Sequence, residues 1–105
     1  MNMFYDDLLD LQSLDAELAV YLPDDGERQE ILSILDATMH HVVMEAIFTN
    51  LPQEQHEIFL VLFRDVPEDS THFDYLRQYQ PDIEEVIRNA AAESKRQFID
   101  TIHAN

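Results

Sequence analysis

Apolar residues recur at helical spacing through most of this chain, and four prolines cut the pattern into stretches. Pro23, Pro52, Pro67 and Pro81 are each followed by acid or amide residues and then by an apolar periodic run, in the order PDDGE, PQEQHE, PEDST and PDIEE. Proline is tolerated at the first helical position because its missing N–H would be unpaired there anyway. Carboxylates in a first turn complement the helix dipole. The prolines therefore read as helix starts. Asp24 and Glu27 stand at capping-box spacing, and Ser70 or Thr71 can cap the helix after Pro67. The pattern predicts helices over residues 4–21, 24–50, 53–65, 69–79 and 82–103. Short joints favour antiparallel neighbours. The expected fold is all-α: one compact domain over residues 1–105, packed around the long helix 24–50, with 1–12 as a candidate acidic amphipathic leader.

That central helix would run for roughly 40 Å at 1.5 Å per residue, long for a domain expected to have a radius of gyration near ~13 Å. Its apolar residues do not keep to one stripe. Ile31, Leu35, Met39, Val42 and Ala46 form one face, widened by Leu32, Val43 and Ile47, while Ile34, Ala37, Met44 and Phe48 cover much of the other side. A helix apolar nearly all round is wrapped by its neighbours or shared with a second chain. A homodimer through its far face is therefore as open as a monomer. Asp36 and Glu45 oppose a membrane reading, and no uninterrupted apolar run approaches the ~20 residues of a span. With no basic, apolar leader of signal-peptide type, the expected location is the cytoplasm.

The run at 58–63 (IFLVLF) could pass for a buried strand. Helix is preferred because no other segment offers a partner strand and Pro52, Glu54 and Glu57 make a good helix start. In the last helix Ile83, Ile87, Ala90 or Ala91, Ser94, Phe98 and Ile102 line up opposite Glu84, Arg88, Lys95 and Arg96. Its small centre, the alanines at 90–92, permits close approach of another helix.

Composition narrows the function classes. Of 105 residues, 22 are acidic and 6 basic, a formal charge of −16, yet 46% are hydrophobic, too many for a disordered acidic tail. So negative a surface opposes binding to a nucleic-acid backbone or an anionic membrane. The absence of Cys removes disulfides, thiolate metal sites and cysteine nucleophiles, and a single Gly removes phosphate-cradling loops. The charge is uneven. Residues 1–26 hold Asp6, Asp7, Asp10, Asp15, Glu17, Asp24 and Asp25 with no Lys or Arg, a net −7, whereas residues 82–105 carry only −2.

Metal and catalytic chemistry find little support. His41 and Glu45, and Glu68 and His72, stand at i, i+4, and Asp100 and His103 at i, i+3, but helical di-metal sites need Glu-x-x-His pairs and none occurs here. His-Glu-x-x-His is absent too. His41 is expected to pair with Glu45 on a partly buried face, with His56, His72 and His103 in solvent. Ser13, Ser33, Ser70 and Ser94 lie at or within helices with no nucleophile elbow. Adjacent carboxylates such as Asp6/Asp7 and Glu84/Glu85 do not face one another on a helix. No enzyme, cofactor or metal is expected.

The leader is the best candidate binding element. Phe4, Leu8 and Leu11, continued by Leu14 and Leu18, make an apolar helical face with acids opposite, and such a segment can lie in a groove of a basic-rimmed partner. The alternative, packing on its own domain as a first helix, is the one amphipathicity favours. Where a partner is bound, Phe4, Tyr5, Leu8 and Leu9 are the residues expected to carry it. Tyr75 and Tyr79, four apart on a short helix, come second because large amphipathic rings suit an interface. The expected function is a non-catalytic interaction module or accessory subunit whose partner is another protein with a basic surface, with no direct contact to nucleic acid or membrane. A nucleic-acid mimic that inhibits a nucleic-acid-binding protein, such as a host-defence protein, is the alternative; it requires a continuous acidic stripe.

From Leu18 onward the order Leu22-Pro23, Gln29-Glu30-Ile31-Leu32, Val42-Val43-Met44-Glu45, Leu51-Pro52-Gln53-Glu54, Phe73-Asp74-Tyr75-Leu76, Pro81-Asp82-Ile83-Glu84 and Lys95-Arg96-Gln97-Phe98 resembles a group of short, acidic, all-helical bacterial proteins of unknown function, notably from small-genome uncultured lineages. The resemblance implies a compact helical module and assigns no functional residue. His40-His41 and the Met3-Phe4-Tyr5 segment are particular to this chain.

Overall fold

A computed structural model describes residues 3–9 and 11–104, with side chains over 3–9 and 13–102. The described residues are all-helical: a 3₁₀ turn at Asp6–Leu8, then α1 (Leu11–Tyr21), α2 (Asp25–Thr49), α3 (Gln53–Asp65), α4 (Thr71–Arg77) and α5 (Ile83–Ala104). Residues 58–63 lie inside α3, so the strand reading is excluded.

All four prolines precede helices, but none sits at a first helical position. Each helix begins one to four residues later, at Asp25, Gln53, Thr71 and Ile83. Proline keeps the residue before it out of the helical region, so Leu22, Leu51, Val66 and Gln80 all fall between helices. Carboxylates then cap. Asp24 accepts the Glu27 N–H at 3.1 Å, as its spacing predicts. Before α4 neither Ser70 nor Thr71 caps through its side chain; Asp69 Oδ1 instead accepts the Thr71 N–H at 2.9 Å. That bond, with the Thr71 hydroxyl next, holds the Asp69 carboxyl below its usual range.

The expected first helix, 4–21, is broken in two. Phe4 and Tyr5 are both in the core together with Leu9, while Leu14 and Leu18 carry the buried stripe of α1. Two adjacent aromatic rings cannot share one narrow face of a continuous helix, and the 3₁₀ turn reorients the chain between them and α1. Asp6 stabilises that turn by accepting the Met3 N–H at 2.8 Å. Asp10 and the side chain of Leu11, counted in the expected stripe, lie outside the described residues, as does the side chain of His103.

α2 is the central element and packs most extensively against α5, then against α1. Its buried residues, Leu35, Met39, Val43 and Ile47, form a row at strict four-residue spacing. Opposite stand Ile83, Ile87 and Ala91 of α5, whose methyl-sized centre brings the two backbones together. By length and composition α2 could cross a bilayer; here its apolar row is covered by α1 and α5. Arg28, near the start of α2, ties the α1–α2 joint by donating to Asp15 Oδ1 and to the Leu22 carbonyl, both at 2.9 Å. The molecule measures 44 × 24 × 18 Å with a radius of gyration of 15.1 Å. It is longer than a spherical domain of this size because the 25 residues of α2 stay in one piece.

α3 lies at the periphery and enters the core chiefly through Phe59, which is fully buried, and Phe63 beside it. Phe59→Ala should cost about 3–5 kcal/mol. Ile58→Ala, one position along the same helix but outward-facing, should stay within about 0.5 kcal/mol. Urea unfolding followed by circular dichroism separates the two, and equal losses would contradict this orientation of α3.

Candidate functional site

The six residues singled out as candidate partner contacts do not form one exposed surface. Phe4, Tyr5 and Leu9 are core residues and Leu8 is half-buried against them. Phe4 meets Tyr5, Phe59, Phe63 and Phe73 edge to face, with centroids 4.9–6.3 Å apart. Its backbone N–H donates to the Pro67 carbonyl at 2.8 Å. The leader is thus a strap laid over the chain's own α3–α4 corner. Tyr75 is half-buried, stacks on Phe59 and donates its hydroxyl to Gln55 Oε1 at 2.5 Å, pinning α4 to α3. Tyr79 packs on Tyr75 with centroids 5.6 Å apart and stays half-exposed at the end of that row.

Three histidines take structural positions. His72, expected in solvent, is 3% exposed among the Phe4, Phe59 and Phe63 rings. Its Nε2–H donates to the Val66 carbonyl at 2.7 Å, which satisfies the imidazole inside the core. His56 donates likewise to the Leu51 carbonyl at 2.9 Å. His40 lies between Asp36, whose Oδ1 is 3.3 Å from Nε2, and the Tyr5 hydroxyl, which reaches Nδ1. A carboxylate on Nε2 selects the tautomer that leaves Nδ1 free to accept the Tyr5 O–H. Asp36, His40 and Tyr5 therefore make one relay that fastens the strap to α2. Its phenol is 1% exposed and is closed to a substrate. His41 is largely exposed and pairs loosely with Glu45 at 3.6 Å, on an open face rather than a partly buried one.

A cavity of about 520 Å³ between the end of α2 and the start of α3 is lined by His41, Met44, Glu45, Phe48, Thr49 and His56. Its walls are mainly apolar, and among the described residues no group of three or more His, Cys, Asp or Glu is placed to hold a metal.

The surface that sequence reasoning missed is the outer side of α3. Ile58 and Val61 are each 49% exposed and Leu62 39%. They stand at i, i+3 and i+4, with Asp65 completing the row at i+7. Together with Glu54 and Glu57 they line an open depression of about 330 Å³. The signal was in the run at 58–63: six successive apolar residues on a helix point in every direction, so one wall can bury only some of them. Four of the six cations, Arg28, Arg77, Arg88 and Arg96, are engaged with the chain's own carboxylates. Residues 53–69, by contrast, hold Glu54, Glu57, Asp65, Glu68 and Asp69 against Arg64, a net −4.

Comparison with protein-family models, with curated proteins and with solved structures gives no match.

Burial first, and the nearby Asp6 and Asp36 charges next, push the Tyr5 phenol well above its ordinary value of about 10. The folded state therefore holds this proton more tightly than the unfolded chain, so its contribution is complete below the unfolded value and is lost as pH rises from about 10 upward. Tyr5→Phe should cost about 0.5–1.5 kcal/mol near neutrality through the lost hydrogen bond. It should also flatten the alkaline fall in stability measured by urea unfolding across that window. An identical alkaline slope in both proteins would count against the burial of this hydroxyl.

Proposed function

We propose that this protein is a non-catalytic interaction module, or accessory subunit, that binds another protein carrying a basic surface. One observation carries the reading. A chain of net charge −16, which spends its large apolar residues on an aromatic core, still leaves the row Ile58, Val61 and Leu62 uncovered. Contiguous apolar surface rimmed by polar residues is the usual mark of a protein contact. The leader residues that the sequence favoured contribute indirectly, since Phe4 and Tyr5 hold α3 and α4 in place. The expected setting is the cytoplasm, and the likeness to short acidic bacterial helical proteins fits a small module of this kind.

The reading is tested by photo-crosslinking in the native host, with a photoreactive amino acid placed in turn at Val61, Ile34, His41 and Val20, all exposed positions. A binding module gives an adduct of discrete mass from at least one position, retained after a high-salt wash. Failure of every position to give a discrete adduct refutes it. Adducts lost with salt and confined to nucleic-acid-binding proteins would transfer the assignment to the mimic class.

A further inference from the structure

Resting on that interaction reading, we infer that the outer face of α3 is the docking site, and that its occupant is a basic amphipathic helix of a partner protein. Ile58, Val61 and Leu62 supply anchors at i, i+3 and i+4, the spacing with which one amphipathic helix reads another. The depression they line has Glu54 and Glu57 in its wall, and Asp65 continues the row. An apolar floor with carboxylates at its edge is complementary to a helix that has leucine-like side chains along one stripe and Lys or Arg flanking them.

The other occupants fit less well. A second copy would set Glu54, Glu57 and Asp65 against the same three residues and bring two chains of charge −16 together, and like charges juxtaposed in an interface are unfavourable. The chain's own leader is already committed, with Phe4, Tyr5 and Leu9 buried on the inner side of α3 and beyond it. A nucleic acid would meet the same carboxylates with its phosphates. The thirteen residues of α3 span roughly 20 Å, so an occupant of about four turns matches its length.

The test uses the full chain and a fluorescein-labelled peptide of about fourteen residues, enough to cover α3. Leucines occupy i, i+3, i+4 and i+7, and lysines flank the stripe. A second peptide has the same composition with the leucines scattered. Fluorescence anisotropy should show the patterned peptide binding roughly tenfold or more tightly than the scattered one. Ile58→Ser, Val61→Ser and Leu62→Ser together should remove that preference, while Glu54→Gln with Glu57→Gln should weaken binding at low salt more than at high salt. Amide chemical-shift mapping on the unaltered protein keeps the test independent of variant folding: shifts must centre on residues 54–65. Equal affinity for the two peptides, unaltered binding by the triple-serine protein, or shifts centred elsewhere would each overturn the inference. So would sedimentation showing a dimer that the triple-serine variant abolishes. If photo-crosslinks form from other positions but not from Val61, this docking site falls while the interaction reading stands.

Discussion

Phe4 and Phe59 meet edge to face at 6.3 Å, at the centre of an aromatic cluster that joins the strap to α2, α3 and α4. Phe59 is the one buried side chain among the described residues of α3, and it also touches Phe48 of α2 and Tyr75 of α4. Phe4 adds Phe63, His72 and Phe73. The strap adds its rings to contacts that α3 already makes with Phe48 of α2 and with His72 and Tyr75 of α4. Edge-to-face pairs are worth about 0.5–1.5 kcal/mol each beyond the area they bury, and several share these two rings. The α2–α5 seam gives the molecule its length; the aromatic cluster decides where α3 and α4 sit upon it.

This arrangement divides α3 between two tasks. Its inner side, Phe59 and Phe63 with Gln55 and His56 beside them, belongs to the fold. Its outer side contributes no buried residue and can change at little cost in stability. Exposed apolar surface of that kind ordinarily invites self-association, and here the surplus of carboxylates opposes it through net charge. By charge complementarity the same surplus favours the approach of a basic surface over that of a second copy of the chain.

Most of the fold was legible because its determinants are local. The four prolines with their trailing acids delimit α2, α3 and α5 to within a residue, and Ile83, Ile87 and Ala91 were visible as a stripe. What could not be read depends on tertiary neighbours. Nothing adjacent to Tyr5 in sequence announces that His40, thirty-five positions on, will accept a hydrogen bond from its hydroxyl. Nothing near His72 says that the Val66 carbonyl will turn inward to meet it. Docking of the leader on its own domain was the reading its amphipathicity favoured, but such a segment shows the same pattern whether the groove it fills is its own or another's, so partner contacts were assigned to Phe4, Tyr5, Leu8 and Leu9 as well. The α3 face was passed over for the converse reason: a continuous apolar run resembles core, and only the placement of Phe59 shows which side faces in.

The bond from Phe4 N–H to the Pro67 carbonyl closes a loop of more than sixty residues. Closure entropy rises only slowly with such a length, so the contact is affordable at equilibrium, but it orders events in time. During synthesis residues 3–9 leave the ribosome well before α3 and α4, their docking partners, exist. Two aromatic rings must wait in water while the rest of the chain is made. Asp6 and Asp7 stand directly beside them, so the segment that carries the two rings also carries two charges while its docking partners are still to be made.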